Sequence, residues 1–142
     1  MKDDIDSALT EAGPPLAPPP EAVEDLLARL HFVERLLKEV QQPLRDEAQL
    51  LYRAQNGQVG TRAIGGGIVV GRDDSTDLVI NSRSVSRRHF SVESRAARTL
   101  IRDLQSRGGT FVNGARIEQR QLVDGDVISA GDQTFVFLKK GD

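Results

Sequence analysis

A chain of 142 residues with 19 Lys+Arg, 21 Asp+Glu and a net charge of -2 has room for one ordinary domain and an appendage. It holds no cysteine, which excludes a disulfide framework, a zinc ribbon and a thiol nucleophile. Residues 1–45 carry 5 Lys+Arg against 9 Asp+Glu and residues 46–142 carry 14 against 12, a basic surplus too small for a nucleic-acid footprint.

The opening Met1-Lys2-Asp3-Asp4-Ile5-Asp6 is too acidic for a signal peptide, and no apolar run has the length to span a bilayer. A soluble cytoplasmic protein without membrane or nucleic-acid partners is expected. Residues 1–20 contain Gly13-Pro14-Pro15 and Pro18-Pro19-Pro20 among small and acidic residues. Such a stretch buries too little apolar surface to order itself, so a disordered or polyproline-like tail is predicted. Ser7 and Thr10 are its candidate phosphorylation positions.

Over residues 21–45 the composition turns helical. Val23, Leu26, Leu30, Val33, Leu37, Val40 and Leu44 recur three and four apart, the spacing of a coiled-coil seam. Pro20 suits the first turn, Glu21, Glu24 and Asp25 suit the positive end of the dipole, and Pro43 predicts an end near Gln42. Three heptads are marginal for an isolated coiled coil. Two readings stay open: a homodimer through residues 21–45, or a helix packed on its own domain. His31 reads as a surface residue.

Residues 46–142 change to a period of two. Strands are predicted at 48–54, 59–64, 68–70, 78–80, 89–93, 99–103, 110–112, 127–130 and 134–138. Asn56-Gly57 between the first two is a tight-hairpin signal, and Gly65-Gly66-Gly67 reads as a hairpin turn. Asn113-Gly114 and Asp124-Gly125-Asp126 mark later turns. Short strands without helical crossovers predict an all-β antiparallel sandwich or barrel.

Between two of these strands runs Asn81-Ser82-Arg83-Ser84-Val85-Ser86-Arg87-Arg88-His89-Phe90, with three serines, three arginines and no acidic side chain. Guanidinium forks match phosphate oxygens in pairs, and hydroxyls add short directional donors, so this loop is equipped to hold a dianion. Other chemistries lack their frames. The triple glycine has no Lys-Ser/Thr and no following helix, as a phosphate loop needs. His89 has no second ligand at metal spacing, and no nucleophile elbow surrounds any serine. Neither an enzyme nor a cofactor site is expected.

Four segments occur in a telling order: Gly71-Arg72, Ser86-Arg87-Arg88-His89, Gly109-Thr110-Phe111-Val112-Asn113-Gly114 and Gly125-Asp126-Val127-Ile128. Together they resemble the forkhead-associated (FHA) domain over residues 46–142. The resemblance implies a sandwich of about eleven strands that binds phosphothreonine peptides through loops at one end, with a small pocket for the threonine methyl. It implies that Arg72 holds the phosphate or the adjoining peptide backbone, that Ser86 donates its hydroxyl, and that Arg87 adds charge. His89 matches the family's buried loop prop, Gly71 and Gly109 supporting loop positions, and Asn113-Gly114 its structural turn. Gly108 stands where the family usually has an asparagine that fixes the ligand's backbone, with Arg107 beside it as a candidate replacement. The implied function is non-catalytic phosphothreonine-dependent protein binding in serine/threonine kinase signalling, the partner being a kinase or its substrate. The alternative is an assembly adaptor that dimerises through the helix and binds unphosphorylated protein; Gly108 favours it.

Overall fold

Alternation of apolar and polar side chains closes this chain into two stacked sheets. The structure, a computed structural model, describes residues 25–40 and 47–140. The proline-rich tail, with Ser7 and Thr10, and the predicted helix limits at Pro20 and Pro43 lie outside those residues.

The first sheet has the order β2 (Val59–Ala63), β1 (Gln49–Arg53), β11 (Gln133–Leu138), β10 (Val127–Ala130), β7 (Thr110–Val112), β8 (Ala115–Ile117). The second runs β4 (Leu78–Val79), β3 (Gly67–Gly71), β5 (Phe90–Arg95), β6 (Arg98–Asp103), β9 (Gln119–Gln121). These eleven strands pair antiparallel, except that β3 and β4 run parallel. Inward-facing Leu50, Val70, Phe90, Val92, Ile101, Val112, Ile128, Phe135 and Phe137 are all buried between the sheets. Phe90 meets Phe135 edge to face at 5.3 Å, a preferred aromatic geometry.

Two local expectations change. Gly65-Gly66-Gly67 is a turn but no hairpin, because it carries the chain from β2 in one sheet to β3 in the other. Asn56-Gly57 sits in a longer loop: Arg53 pairs with Val59, and only Gly57 has a positive φ (86°). Asn113-Gly114 is the true two-residue turn, with φ of 52° and 86° and Val112 paired to Ala115, as a type I′ hairpin requires. Strands β8 and β9 escaped the sequence reading because their residues are mostly exposed and show no apolar alternation.

The helix α1 spans Leu26–Lys38, and the Asp25 carboxylate caps it by accepting the Leu27 N–H at 3.0 Å. It ends ahead of the predicted Gln42. Phe32, Val33 and Leu36 are buried against Leu51, Val59, Val127 and Val136 on the outer face of the first sheet, with Leu37 and Val40 packed at the margin. Of the two readings, packing on its own domain is the one present. Burying each of the three contributes about 1.5–3 kcal/mol. The docked face is rotated from the heptad seam, which leaves Leu26 and Leu30 60% and 53% exposed. Glu39 grips Arg53 of β1 through two bonds of 3.0 and 3.2 Å, a surface pair that adds little stability.

Candidate functional site

The predicted site residues, Asn113 excepted, come from three segments at one end of the sandwich: the end of β3, the β4–β5 loop and the β6–β7 loop. Gly71 closes β3 because the β4–β5 loop crosses directly over it. A β-carbon there would overlap the Arg87 carbonyl, so only glycine permits the approach. The two segments are laced together by Arg72 N–H to Ser86 C=O (2.9 Å), Asp73 N–H to Arg87 C=O (3.1 Å) and His89 N–H to Val70 C=O (2.8 Å).

Within this frame the Arg72 side chain is aimed by its own Nε, which donates to the Val85 carbonyl at 3.0 Å. Its terminal nitrogens make no hydrogen bond among the described residues and remain available as a fork. The Ser86 hydroxyl oxygen accepts the Arg107 N–H at 3.0 Å, which leaves the hydroxyl proton free to donate outward. Arg87, Arg107 and Gly108 are exposed beside it.

His89 is fully buried beneath them. Its Nδ1 accepts the Ser86 N–H at 3.0 Å, and its Nε2 lies 2.9 Å from the Gly109 carbonyl. A backbone N–H can only donate and a carbonyl can only accept, so the proton sits on Nε2. One imidazole thereby ties the two loops together.

Sequence reasoning missed two carboxylates that shape the same loops. Asp103 accepts the Thr110 hydroxyl at 2.6 Å, the Ser106 hydroxyl, and the Ser106 N–H at 3.2 Å, while Ser106 Oγ accepts the Gly109 N–H at 3.0 Å. Burial pushes the Asp103 pKa up, but the bonds from Ser106 and Thr110 outweigh it and hold the group below the ordinary aspartate value. Asp132, in the β10–β11 turn, accepts Ser82 Oγ (2.8 Å) and Ser84 Oγ (2.6 Å) on one oxygen, and its N–H donates to Ser84 Oγ (2.9 Å). Here too burial raises the pKa, and the bonds from Ser84, Gln133 and Ser82 bring it net downward. The Asp103-x-x-Ser106 spacing was a usable turn signal. Asp132 lies 48 residues from Ser84, and no local pattern joins them.

Asn113 does not join the site. It lies at the far end of β7, where its Oδ1 accepts the Val127 N–H at 2.9 Å and its Nδ2 donates to Asp126 at 3.0 Å, bracing the type I′ turn. A cavity of about 260 Å³ on the outer face of the second sheet, lined by Val69, Ser91, Glu93 and Arg102 among others, takes in only Arg88 and Leu104 from the site loops. Among the described residues no group of three or more His, Asp and Glu could hold a metal ion, and no helix is long and apolar enough to cross a membrane. The loop end presents several cationic and hydroxyl donors, held from behind by the bonds of Arg72, Ser86 and His89.

A family model described as the FHA domain matches residues 68–131. The ABC transporter ATP-binding/permease protein Rv1747 of Mycobacterium tuberculosis is 42% identical over 72 residues, 51% of this chain and 8% of that protein. The FHA domain of FhaA, a Mycobacterium tuberculosis protein, solved in complex with the intracellular domain of Rv3910, is 30% identical with a TM-score of 0.57, over 64% of this chain and 99% of that one. A structure solved to analyse phosphothreonine-dependent FHA domain interactions is 28% identical with a TM-score of 0.59, over 67% and 98%. The chain spans less than half the length of the curated relatives it matches.

Proposed function

We propose that this chain, which belongs to the FHA domain family, is a phosphothreonine-dependent protein-binding module in serine/threonine kinase signalling. In this reading the phosphate sits between Arg72, Ser86 and Arg87, with Arg107 and Gly108 on the rim and Gly71, His89 and Gly109 supporting them. The partner is a phosphorylated protein or a kinase, met in the cytoplasm, and the role is non-catalytic. Residues 46–142 form the binding domain, and residues 21–45 form its helical extension after the tail of residues 1–20.

One observation carries the reading. The Arg72 fork and the Ser86 proton are left unspent while every bond that orients them is made from behind. Charge-assisted bonds from such prepositioned donors to a dianion are the strong kind. Titrating the full chain with a degenerate phosphothreonine library by fluorescence anisotropy tests it. Arg72→Ala and Ser86→Ala should each weaken binding at least tenfold, about 1.4 kcal/mol, with folding intact. Equal binding by wild type and both variants would remove the pocket assignment.

A second reading, the phosphate-independent assembly adaptor, draws support from Gly108 and from Leu26, Leu27 and Leu30, which stay exposed on the helix and would be the contact of a homodimer. Light scattering of the full chain at high micromolar concentration decides the dimer. A monomer there rules it out.

A further inference from the structure

Arg116 stands on β8 opposite Phe111 of β7, in a strand with no apolar pattern to call attention to it. Its side chain folds back over the β6–β7 loop. A β-carbon on Gly109 would come within 2.8 Å of its Nε and 3.2 Å of its Nη2. The guanidinium therefore lies against Gly109, the residue whose carbonyl takes the His89 bond and which is next in the chain to Gly108. Gly109 needs its glycine on conformational grounds as well, at φ 90°.

No hydrogen bond or ion pair engages Arg116 among the described residues. Several other arginines do find partners: Arg53 on Glu39, Arg62 on the Asp77 carbonyl, and Arg102 on Gln119. Arg116 instead keeps its whole donor fork unspent at the rim of a site already built for an anion. The adjoining Gly108 opens onto free space, since nothing lies within 4 Å of where its β-carbon would be. A guanidinium is matched to an oxyanion, and an ammonium would lack the fork.

We infer that Arg116 is a specificity-determining residue: from its place against Gly109 it reads a second anionic group on the bound peptide, a carboxylate or a second phosphate. This rests on the phosphothreonine reading and extends it from one anion to two. The phosphothreonine anchors at Arg72 and Ser86, and a flanking negative charge docks at Arg116. The preferred partner then carries acidic or multiply phosphorylated sequence next to its phosphothreonine.

The test uses the full chain and three sets of phosphothreonine peptides in anisotropy titrations: neutral flanks, a single glutamate walked through the flanking positions, and a second phosphothreonine walked likewise. The readout is the ratio of affinities between charged and neutral flanks. Wild type should prefer a charged flank at one position by about fivefold or more, an exposed charge-assisted contact. Arg116→Gln should bring that ratio close to one, and Arg116→Lys should lower it in part. Arg98→Ala, which removes the same charge at the β5–β6 turn, should leave it unchanged. A preference for glutamate or only for phosphate identifies the source of the anion. A wild type that binds neutral phosphothreonine peptides without any charge preference would overturn the inference while the pocket stands. A preference that survives Arg116→Gln, or falls equally with Arg98→Ala, would overturn it too. Failure of every phosphothreonine peptide to bind would instead sink the pocket reading, and this inference with it.

Discussion

His89→Ala tests whether the loop end is held from within. The imidazole is fully buried and spans from the Ser86 N–H at 3.0 Å to the Gly109 carbonyl at 2.9 Å. Truncation strands both backbone groups, at about 1–3 kcal/mol for a buried one, and leaves a cavity under the loops. The expected loss is about 3–5 kcal/mol, a large share of the roughly 5–15 kcal/mol that holds a typical domain. For a domain near 100 residues each kcal/mol lowers Tm by about 4–8 °C, so the melting point should fall by about 12–40 °C. Calorimetry of the full chain measures it, alongside phosphopeptide binding. His89→Asn keeps an acceptor near the Nδ1 position and should lose visibly less. An unchanged Tm with lost binding would mean that His89 contacts ligand directly, and the prop assignment would be wrong.

Gly108→Asn should fold normally, because its φ is not left-handed and the space is open. If the ligand is an ordinary phosphothreonine peptide, it should bind roughly five- to tenfold more tightly through the restored amide, as the same titrations would show. Acid should loosen the site through Asp103. Its folded pKa lies below the unfolded value, so its contribution is complete above the unfolded value and is lost as pH falls through the folded one, below about pH 4. Denaturant melts across that range should show a shallower acid slope for Asp103→Asn; identical slopes would exclude this role. Deleting residues 1–46 would uncover Leu51, Val127 and Val136, all fully buried under α1 and the strand edges. The truncated protein should melt lower and self-associate in light scattering, whereas a stable truncated monomer would show that the helix contributes little.

Much of the fold could be read from the chain because the sandwich is written at period two. The run Ile68-Val69-Val70, the alternation through Phe90-Ser91-Val92 and the turn at Asn113-Gly114 each carry a local signal that survives into the structure. Arg72, Ser86 and His89 were legible for a different reason: their types and order matched a known loop chemistry, and the lacing of Arg72 and Asp73 to Ser86 and Arg87 brings them together. Strands β8 and β9 were not legible. Their existence depends on register with β7 and β6, not on their own composition. The heptad seam misled in part, since a 13-residue helix can present either of two adjoining apolar stripes, and the sheet beneath selected the one with Phe32 and Leu36.

What the amino-acid sequence determined by itself was the alternation, the turn chemistry and the donor set, because each follows from neighbours within a few residues. Tertiary structure alone decided which glycines had to be glycines, since the clash at Gly71 comes from Arg87 and that at Gly131 from Ser84. It also joined Asp132 to Ser82 and Ser84 and laid Arg116 over Gly109. Those pairs are made by strands that meet only after the two sheets close, so their proximity is a property of the packed fold and of no local segment.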